Sequence, residues 1–250
     1  MAKAAVLGSP IEHSLSPLLH TAGYRALGLD WSYEKQECTA EQLPALISRD
    51  YAGYSVTMPC KFAALEFADA VTPRAKEIGS ANTLVRTDDG WLADNTDCLG
   101  VLGALDELGI DSPTSAVVLG AGGTARAVLW ALRESGVTDI TVMNRSDRTA
   151  ELAELVDAHW LPLGPIPKAD VVISTLPGAA AGHLEISSPL FDVSYSPWPP
   201  PLIAQAQEKG IPCVAGHVML AHQAYAQFEL FTGYSAPRPE MRAALESELF

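Results

Sequence analysis

The chain has 250 residues, 48% of them hydrophobic and 18% charged, enough apolar material for one large core or two smaller ones, and this excludes a disordered chain. Its 16 Lys and Arg face 30 Asp and Glu, giving a formal net charge of −14, and with no Lys/Arg cluster in the sequence to neutralise phosphates this argues against a nucleic-acid partner. Cys38, Cys60, Cys98 and Cys213 have neither metal-ligand spacing nor the density of a secreted disulfide framework, and the N-terminus runs directly into AAVLG without signal-peptide architecture. Both features point to a reducing, cytoplasmic setting. The longest uncharged run, Gly210 to Phe228, contains Pro212, two histidines and two glutamines and follows the rhythm of a strand, a turn and a helix, not that of a membrane span.

In chain order, KAAVLG reads as an opening strand. A helix follows from Ser16 to Leu27, with Pro17 at the first helical position behind a serine cap. WSYEKQEC is expected as a second strand, EQLPALISRD as a helix despite its proline, and GYSVTM as a third strand. SANTLVRTDDGWLADNTD suggests a hairpin turning at Asp89-Gly90. A hinge is expected near Leu99 to Ser112, where the helix VLGALDELG bridges two lobes. Beyond it, AVVLG, ITVMN, DVVIS and LFDVS each read as a buried strand. TARAVLWALRESG, DRTAELAELVDA and PPLIAQAQEKG supply helices between and after them, and IPCVAG a further strand. The alternation predicts a parallel sheet with helices on its faces, hence two α/β lobes with a cleft between them. From Met219 onward the chain is mostly helical, and periodicity leaves open which lobe it packs on.

GAGGTARA, residues 120 to 127, follows a strand and opens a helix, the setting that a dinucleotide-binding loop requires. Gly120 permits the tight turn, Gly122 lets backbone approach a pyrophosphate, Ala125 fits against the sheet, and the anion sits on the helix N-terminus. An NAD site normally places Asp or Glu at the end of the next strand, against the ribose hydroxyls. Asn144 stands there, followed by Arg145 and Arg148, whose guanidinium groups suit a 2′-phosphate. NADP is therefore the expected cofactor. Two solvated arginines at a helix start would explain the same residues, but cations there oppose the helix dipole unless an anion visits.

Polar residues punctuate the first half at strand ends and helix starts: Ser14 and Ser16; Thr57 and Lys61; Asn82 and Thr83; Asn95, Thr96 and Asp97. Each alone has a structural explanation, as a helix cap, a turn former or a solvated cation. Together they favour a ligand crevice. Hydride transfer between a nicotinamide and a secondary alcohol leaves one proton to be moved, and Lys61 oriented by Asp97 is the candidate acid–base group. The six histidines show no zinc-binding spacing, and no metal is expected.

These segments carry a resemblance. GSPIEHSLSP, VTMPCK, IGSANT, DNTD, GAGGTARA, NRS, DVSYSP and MLAHQAYAQFELFTG, spread over almost the whole chain, resemble the shikimate dehydrogenase family. The resemblance implies an N-terminal substrate-binding lobe of residues 1–101, completed by C-terminal helices at 219–250, and a Rossmann-like NADP domain of residues 102–218. It implies NADPH-dependent reduction of 3-dehydroshikimate to shikimate in aromatic amino-acid biosynthesis. Ser14 and Ser16 match residues that bind the substrate carboxylate, and Thr57, Asn82, Asp97 and Gln223 match those that hold its hydroxyls. Lys61 with Asp97 matches the catalytic pair, and Tyr195 a tyrosine near the substrate. Cofactor contacts are expected from Gly120, Ala121, Gly122, Gly123, Thr124, Ala125, Asn144, Arg145, Ser146, Arg148, Thr175, Gly216 and Met219.

The chain departs from the family pattern at Ser55, usually Asn, at Phe62, often polar, and at His217-Val218, which replace a Leu-Gly pair near the nicotinamide. A β-branched residue resists a glycine's positive φ, so Val218 is expected to displace the backbone carbonyl there. Two alternatives stay open: an NAD-dependent quinate/shikimate dehydrogenase, and a non-catalytic sensor of small molecules. The partner is expected to be a small anionic hydroxylated ring, with no nucleic acid and no membrane, for a monomer or a homodimer.

Overall fold

The computed structural model describes residues 1–110 and 112–250; Asp111, inside the expected hinge, lies outside the described residues. In chain order the elements are β1 (Ala2–Gly8), α1 (Ser16–Ala26), β2 (Trp31–Glu37), α2 (Leu43–Leu46), β3 (Gly53–Val56), α3 (Lys61–Phe67), β4 (Ala70–Val71), α4 (Pro73–Ile78), β5 (Thr83–Thr87) and β6 (Gly90–Asp94). There follow α5 (Asp97–Leu108), β7 (Ser115–Leu119), α6 (Gly123–Glu134), β8 (Asp139–Asn144), α7 (Thr149–Leu152), β9 (His159–Pro162), β10 (Val171–Ser174), α8 (Gly178–Ala181), β11 (Leu190–Asp192), α9 (Pro201–Glu208), β12 (Cys213–Ala215), α10 (Gly216–Thr232) and α11 (Arg238–Leu249). Residues 1–96 with 223–250 form one compact unit, and 97–222 form another.

The first unit is built on a sheet of order β2-β1-β3-β5-β6-β4. β1 pairs in parallel with β2 and β3, whereas β3–β5 and β5–β6 are antiparallel, so this half is mixed. The hairpin is two residues tight, with Thr87 opposite Gly90, which puts its turn at Asp88-Asp89. One core lies under Leu7, Tyr54, Val56, Leu84, Trp91 and Ala93. The C-terminal segment covers another part: α11 packs on α1, and Phe231 of α10 lies against β3.

The second unit has a fully parallel sheet of order β12-β11-β10-β7-β8-β9. The strand order reverses at β7 and β10, the doubly wound arrangement in which ligands bind beyond the carboxyl ends of the central strands. Val118, Ile140, Val142, Val171 and Ile173 meet Val128, Leu129 and Leu132 of α6 and Val101 and Leu105 of α5 in one continuous core. The helix expected to act as a bridge is therefore counted within this unit, where it packs on α6 and β12.

Local chemistry explains where elements are shorter or placed otherwise than expected. Of EQLPALISRD only α2 is helical: Pro44, near its start, cannot donate a backbone bond to an earlier turn, and the extended backbone of Ile47 ends the helix after four residues. DRTAELAELVDA likewise yields only the one turn of α7. Ser16 does not cap α1: it is the first helical residue, buried, and its own N–H is held by Ser14 Oγ at 3.4 Å. β9 was not expected at all; three of its four residues are exposed, so its sequence lacks the apolar run of a buried strand.

A Cβ on Gly53 would stand 2.2 Å from Phe231 Cδ1 and 3.0 Å from the Leu84 carbonyl oxygen. Gly53→Ala is expected to destabilise the protein by about 1–3 kcal/mol through overpacking, lowering the melting temperature by several degrees. Gly164→Ala, whose Cβ meets nothing nearer than 4.0 Å, is expected to leave it unchanged. Equal melting temperatures for both variants would refute the close packing of α10 on β3.

Candidate active site

In the first unit, polar groups gather where β1, β3 and β6 end. Thr57 follows β3 and donates its N–H to the Leu7 carbonyl at 2.8 Å; its own carbonyl accepts from Cys60 N–H at 2.9 Å. That turn delivers the chain into α3, of which Lys61 is the first residue. The Lys61 carbonyl accepts from Ala81 N–H at 3.0 Å, and the Asn82 carbonyl accepts from Val56 N–H at 2.7 Å. Lys61 and Asn82 are thereby fixed beside each other by backbone alone. Cys60, next to the lysine, is fully buried, and burial pushes its thiol up to about 12, so it is no nucleophile at neutral pH.

Asn82 is the hub of the cluster. Its Oδ1 accepts from Thr96 N–H at 2.7 Å and from Thr83 Oγ1 at 2.8 Å, while its Nδ2 donates to Thr96 Oγ1 at 3.0 Å and Gln223 Oε1 at 3.3 Å. Asn82, Thr83, Thr96 and Gln223 are all buried. Three distant stretches of sequence thus converge on one amide. Asp94 and Asn95 serve the frame: Asp94 accepts from Thr72 Oγ1 at 2.7 Å and pairs with Arg74, and Asn95 Nδ2 donates to the Ser80 carbonyl at 2.9 Å. Ser14 and Ser16 lie at the start of α1. Asp97, buried, opens α5 in the second unit.

Sequence reasoning singled out Ser55 only as a departure and passed over Tyr33 and Gln227. The structure joins them: the Tyr33 hydroxyl donates to Ser55 Oγ at 2.6 Å, and Ser55 donates to Gln227 Oε1 at 2.6 Å. A signal was present in Gln223 and Gln227, four residues apart and so on one face of a helix that is otherwise largely apolar. Phe62, a second departure, is 53% exposed and points its ring away from the core.

In the second unit the glycine loop leaves β7 at Gly120, which has φ +101° and whose N–H donates to the Met143 carbonyl at 2.8 Å. A Cβ there would lie 2.5 Å from Thr175 Oγ1, so both conformation and space require glycine. Thr175 itself is held by two bonds of 2.8 Å to the Leu119 carbonyl. Ala121 and Gly122 lead into α6, of which Gly123 is the first residue; Thr124 is partly exposed and Ala125 fully buried. Added atoms on Gly122 or Gly123 would meet open space, leaving the first turn of the helix accessible to an anion.

At the end of β8, Asn144 Nδ2 donates to the Ser146 carbonyl at 3.3 Å. Arg145, Ser146 and Arg148 are exposed. Arg148 is engaged by Glu151, with Nε 3.0 Å from both carboxylate oxygens, so an incoming phosphate must compete with that carboxylate. Tyr195 is partly exposed, and burial of its surroundings raises its hydroxyl pKa. Gly216 donates to the Ser194 carbonyl at 3.0 Å and starts α10. Val218 and Met219 lie in that helix and are buried in the apolar core; Val218 has no positive φ. The strained backbone expected at Val218 is therefore absent, because a helical turn accommodates the β-branched residue.

A doubly wound parallel sheet with a glycine turn, an open helix N-terminus and an Asn-Arg pair after its second strand defines a nucleotide-dependent dehydrogenase. Family models match residues 6–84 (shikimate dehydrogenase substrate binding domain), 105–180 (shikimate/quinate 5-dehydrogenase) and 216–246 (shikimate 5′-dehydrogenase C-terminal domain). The shikimate dehydrogenase (NADP(+)) of Rhizobium etli is 39% identical over 98% of this chain and 93% of its own length. The crystal structure of Mycobacterium tuberculosis shikimate dehydrogenase superposes with a TM-score of 0.89 at 46% identity, covering 99% of this chain and 100% of that one. That of the Thermus thermophilus shikimate 5-dehydrogenase, solved with NADP(H) and shikimate, gives 0.89 at 33% identity over the whole of both chains. The chain belongs to the shikimate dehydrogenase family. Its curated relatives are NADP enzymes, which does not favour the NAD-dependent or non-catalytic alternatives. Among the described residues, no helix is long and apolar enough to cross a membrane.

Asp192, at the end of β11, is fully buried; its Oδ1 accepts from Ser194 N–H at 3.0 Å and its Oδ2 has no partner. Burial raises its carboxyl from 3.8 to about 6. The folded state keeps this proton where the unfolded chain releases it, so the contribution to stability is present below 3.8 and is lost as pH rises through about 6. Asp192→Asn, which cannot ionise, is expected to gain stability relative to wild type between pH 4 and pH 7, by up to about 3 kcal/mol. Denaturant melts at both pH values check this; a difference independent of pH would contradict it.

Proposed function

We propose that the chain catalyses the NADP-dependent interconversion of 3-dehydroshikimate and shikimate, the first unit holding the substrate and the second the cofactor. The observation that carries the reading is the buried set of neutral donors and acceptors around Asn82, fixed beside Lys61. Neutral amides and hydroxyls suit the hydroxyl groups of a polyhydroxylated ring, which give and take hydrogen bonds but carry no charge. Thr57, Asn82, Gln223 and Asp97 are assigned to those hydroxyls, Ser14 and Ser16 to the ring carboxylate, and Tyr195 to a further substrate contact.

NADP supplies the hydride when bound. The residues present fit it: the open first turn of α6 takes the pyrophosphate, and Arg145 with Arg148 takes the 2′-phosphate, unopposed by any acidic residue at Asn144. Ala121, Gly123, Thr124, Ala125 and Ser146 shape that loop and strand end, and Thr175, Gly216 and Met219 are assigned to the nicotinamide side. Lys61 gives its proton to the substrate carbonyl oxygen during reduction and takes it back during oxidation. Asp97 shares that step by orienting the amine.

The cytoplasm is the proposed compartment, consistent with four free cysteines, three of them buried. Nucleic acid is no partner of so acidic a chain, and either a monomer or a homodimer satisfies the reading.

Steady-state kinetics with shikimate and quinate, and with NADP and NAD, test the assignment. Shikimate with NADP is expected to have the highest kcat/KM; quinate with NAD as the better pair would overturn it. Lys61→Ala is expected to lower kcat by roughly 100-fold with a modest change in KM, because proton transfer is a transition-state interaction. Asp97→Asn is expected to lower kcat too, and the double variant to lose less than the sum of both losses. Normal turnover in folded Lys61→Ala would remove its acid–base role.

For the cofactor, Arg145→Ala is expected to cost more NADP selectivity than Arg148→Ala, since Glu151 already engages Arg148. The loss should be on the order of 1.5–3 kcal/mol for a strong charge-assisted contact. Unchanged selectivity in the variant lacking both arginines would contradict the phosphate site.

A further inference from the structure

Behind the Asn82 cluster runs a second line of buried polar groups, contributed by β2, β3, β5 and α10. Tyr33 donates to Ser55, and Ser55 donates to Gln227 Oε1, each at 2.6 Å. Gln227 Nε2 then donates to the Asn82 carbonyl at 3.0 Å and to Thr83 Oγ1 at 2.9 Å. Thr83 passes its own proton to Asn82 Oδ1 at 2.8 Å. The line therefore ends on the side chain of the hub. At its other end, burial raises the pKa of the Tyr33 hydroxyl, and the nearby Ser55 and Ser16 hydroxyls moderate that rise.

The direction of this line is fixed by counting protons. Tyr33 and Ser55 each have one hydroxyl proton, and both are committed; both amide protons of Gln227 are committed as well. Tyr33 is 9% exposed, Ser55 4%, Gln227 1% and Thr83 0%, so water offers no substitute partner. Reversing the Tyr33–Ser55 or the Ser55–Gln227 bond would leave a buried donor or acceptor unmatched. His20 closes the back of the line as a neutral aromatic ring: it stacks on Tyr33 at 4.3 Å and 15°, and burial pushes its pKa down to about 3.

A line of fixed direction has one consequence for the hub. Thr83 arrives at Asn82 as a donor and joins the Thr96 N–H, 2.7 Å away, on Oδ1, which leaves Nδ2 to face Thr96 Oγ1 and Gln223 Oε1. We propose that Tyr33, Ser55, Gln227 and Thr83 are positioning residues that, together with the Thr96 N–H, hold the Asn82 side chain and its backbone carbonyl in place, and so tune the affinity for the hydroxylated ring substrate. The proposal rests on the function proposed above. It adds that the choice of substrate is set partly by residues of β2 and α10 that need not touch it, and it accounts for Ser55: a small hydroxyl both accepts from Tyr33 and donates to Gln227 within one tight space.

The test is steady-state kinetics with shikimate and NADP for Tyr33→Phe, Ser55→Ala and Gln227→Met, alongside wild type. Gln227→Met keeps the volume and removes both amide donors; Tyr33→Phe removes one hydroxyl and little else. The KM for shikimate is expected to rise roughly 5- to 30-fold in Gln227→Met, the equivalent of about 1–2 kcal/mol, and less in Tyr33→Phe. The KM for NADP is expected to stay within about twofold and kcat within about threefold. Because the residues act in series, Tyr33→Phe added to Gln227→Met should cost nothing further. An unchanged shikimate KM in Tyr33→Phe and Gln227→Met would overturn the proposal. So would a parallel rise in both KM values, which would mark a general loss of packing. Wild-type protein that fails to oxidise shikimate would overturn the functional reading and this proposal with it, whereas the other two outcomes leave that reading standing.

Discussion

The first unit depends on a single side-chain amide being satisfied without water. Asn82 is 2% exposed and bonds to Thr83, Thr96 and Gln223, which arrive from β5, from the end of β6 and from α10. An amide buried without partners would cost several kcal/mol, so the fold is held to the one arrangement in which all three stretches are present. The C-terminal segment is thus required by chemistry as well as by packing. Gln223 and Gln227 carry the polar half of that requirement, and Phe228 and Phe231 the apolar half.

The same constraint shapes how the site works. Polar networks in a low-dielectric surround are rigid when complete, because each bond polarises the next and none can be exchanged for solvent. A rigid, neutral framework presents fixed donors and acceptors to a ligand and spends little of the binding free energy on ordering itself. The arginines after β8 differ: both are exposed, and Arg148 is already engaged by Glu151.

Much of this was legible in the sequence. The parallel strands of the second unit are short, continuous apolar runs, and Gly120 and Gly136 mark a turn and a helix end through their positive φ. Lys61, Asn82 and Thr96 were legible as candidates because polar residues cluster at strand ends, whereas Gln223 entered only through the family resemblance. What could not be read were partnerships across long separations. Nothing local in WSYEKQEC or SVTMPCK shows that Tyr33 and Ser55 share a hydrogen bond, or that Gln227, 172 residues further on than Ser55, completes it. The Val218 departure was misread for a related reason: a rule about glycine conformation was applied without knowing that the position lies inside a helix.

The central claim is that the Asn82 cluster is the place where the ring hydroxyls bind. Titrating isotopically labelled protein with shikimate, while following side-chain amide signals, tests it directly. Signals of Asn82 and Gln223 should shift and saturate together, while that of Gln205, whose amide donates to the Leu184 carbonyl at 2.9 Å in the second unit, should stay in place. Saturable shifts confined to other amides, with Asn82 and Gln223 unmoved, would contradict the account.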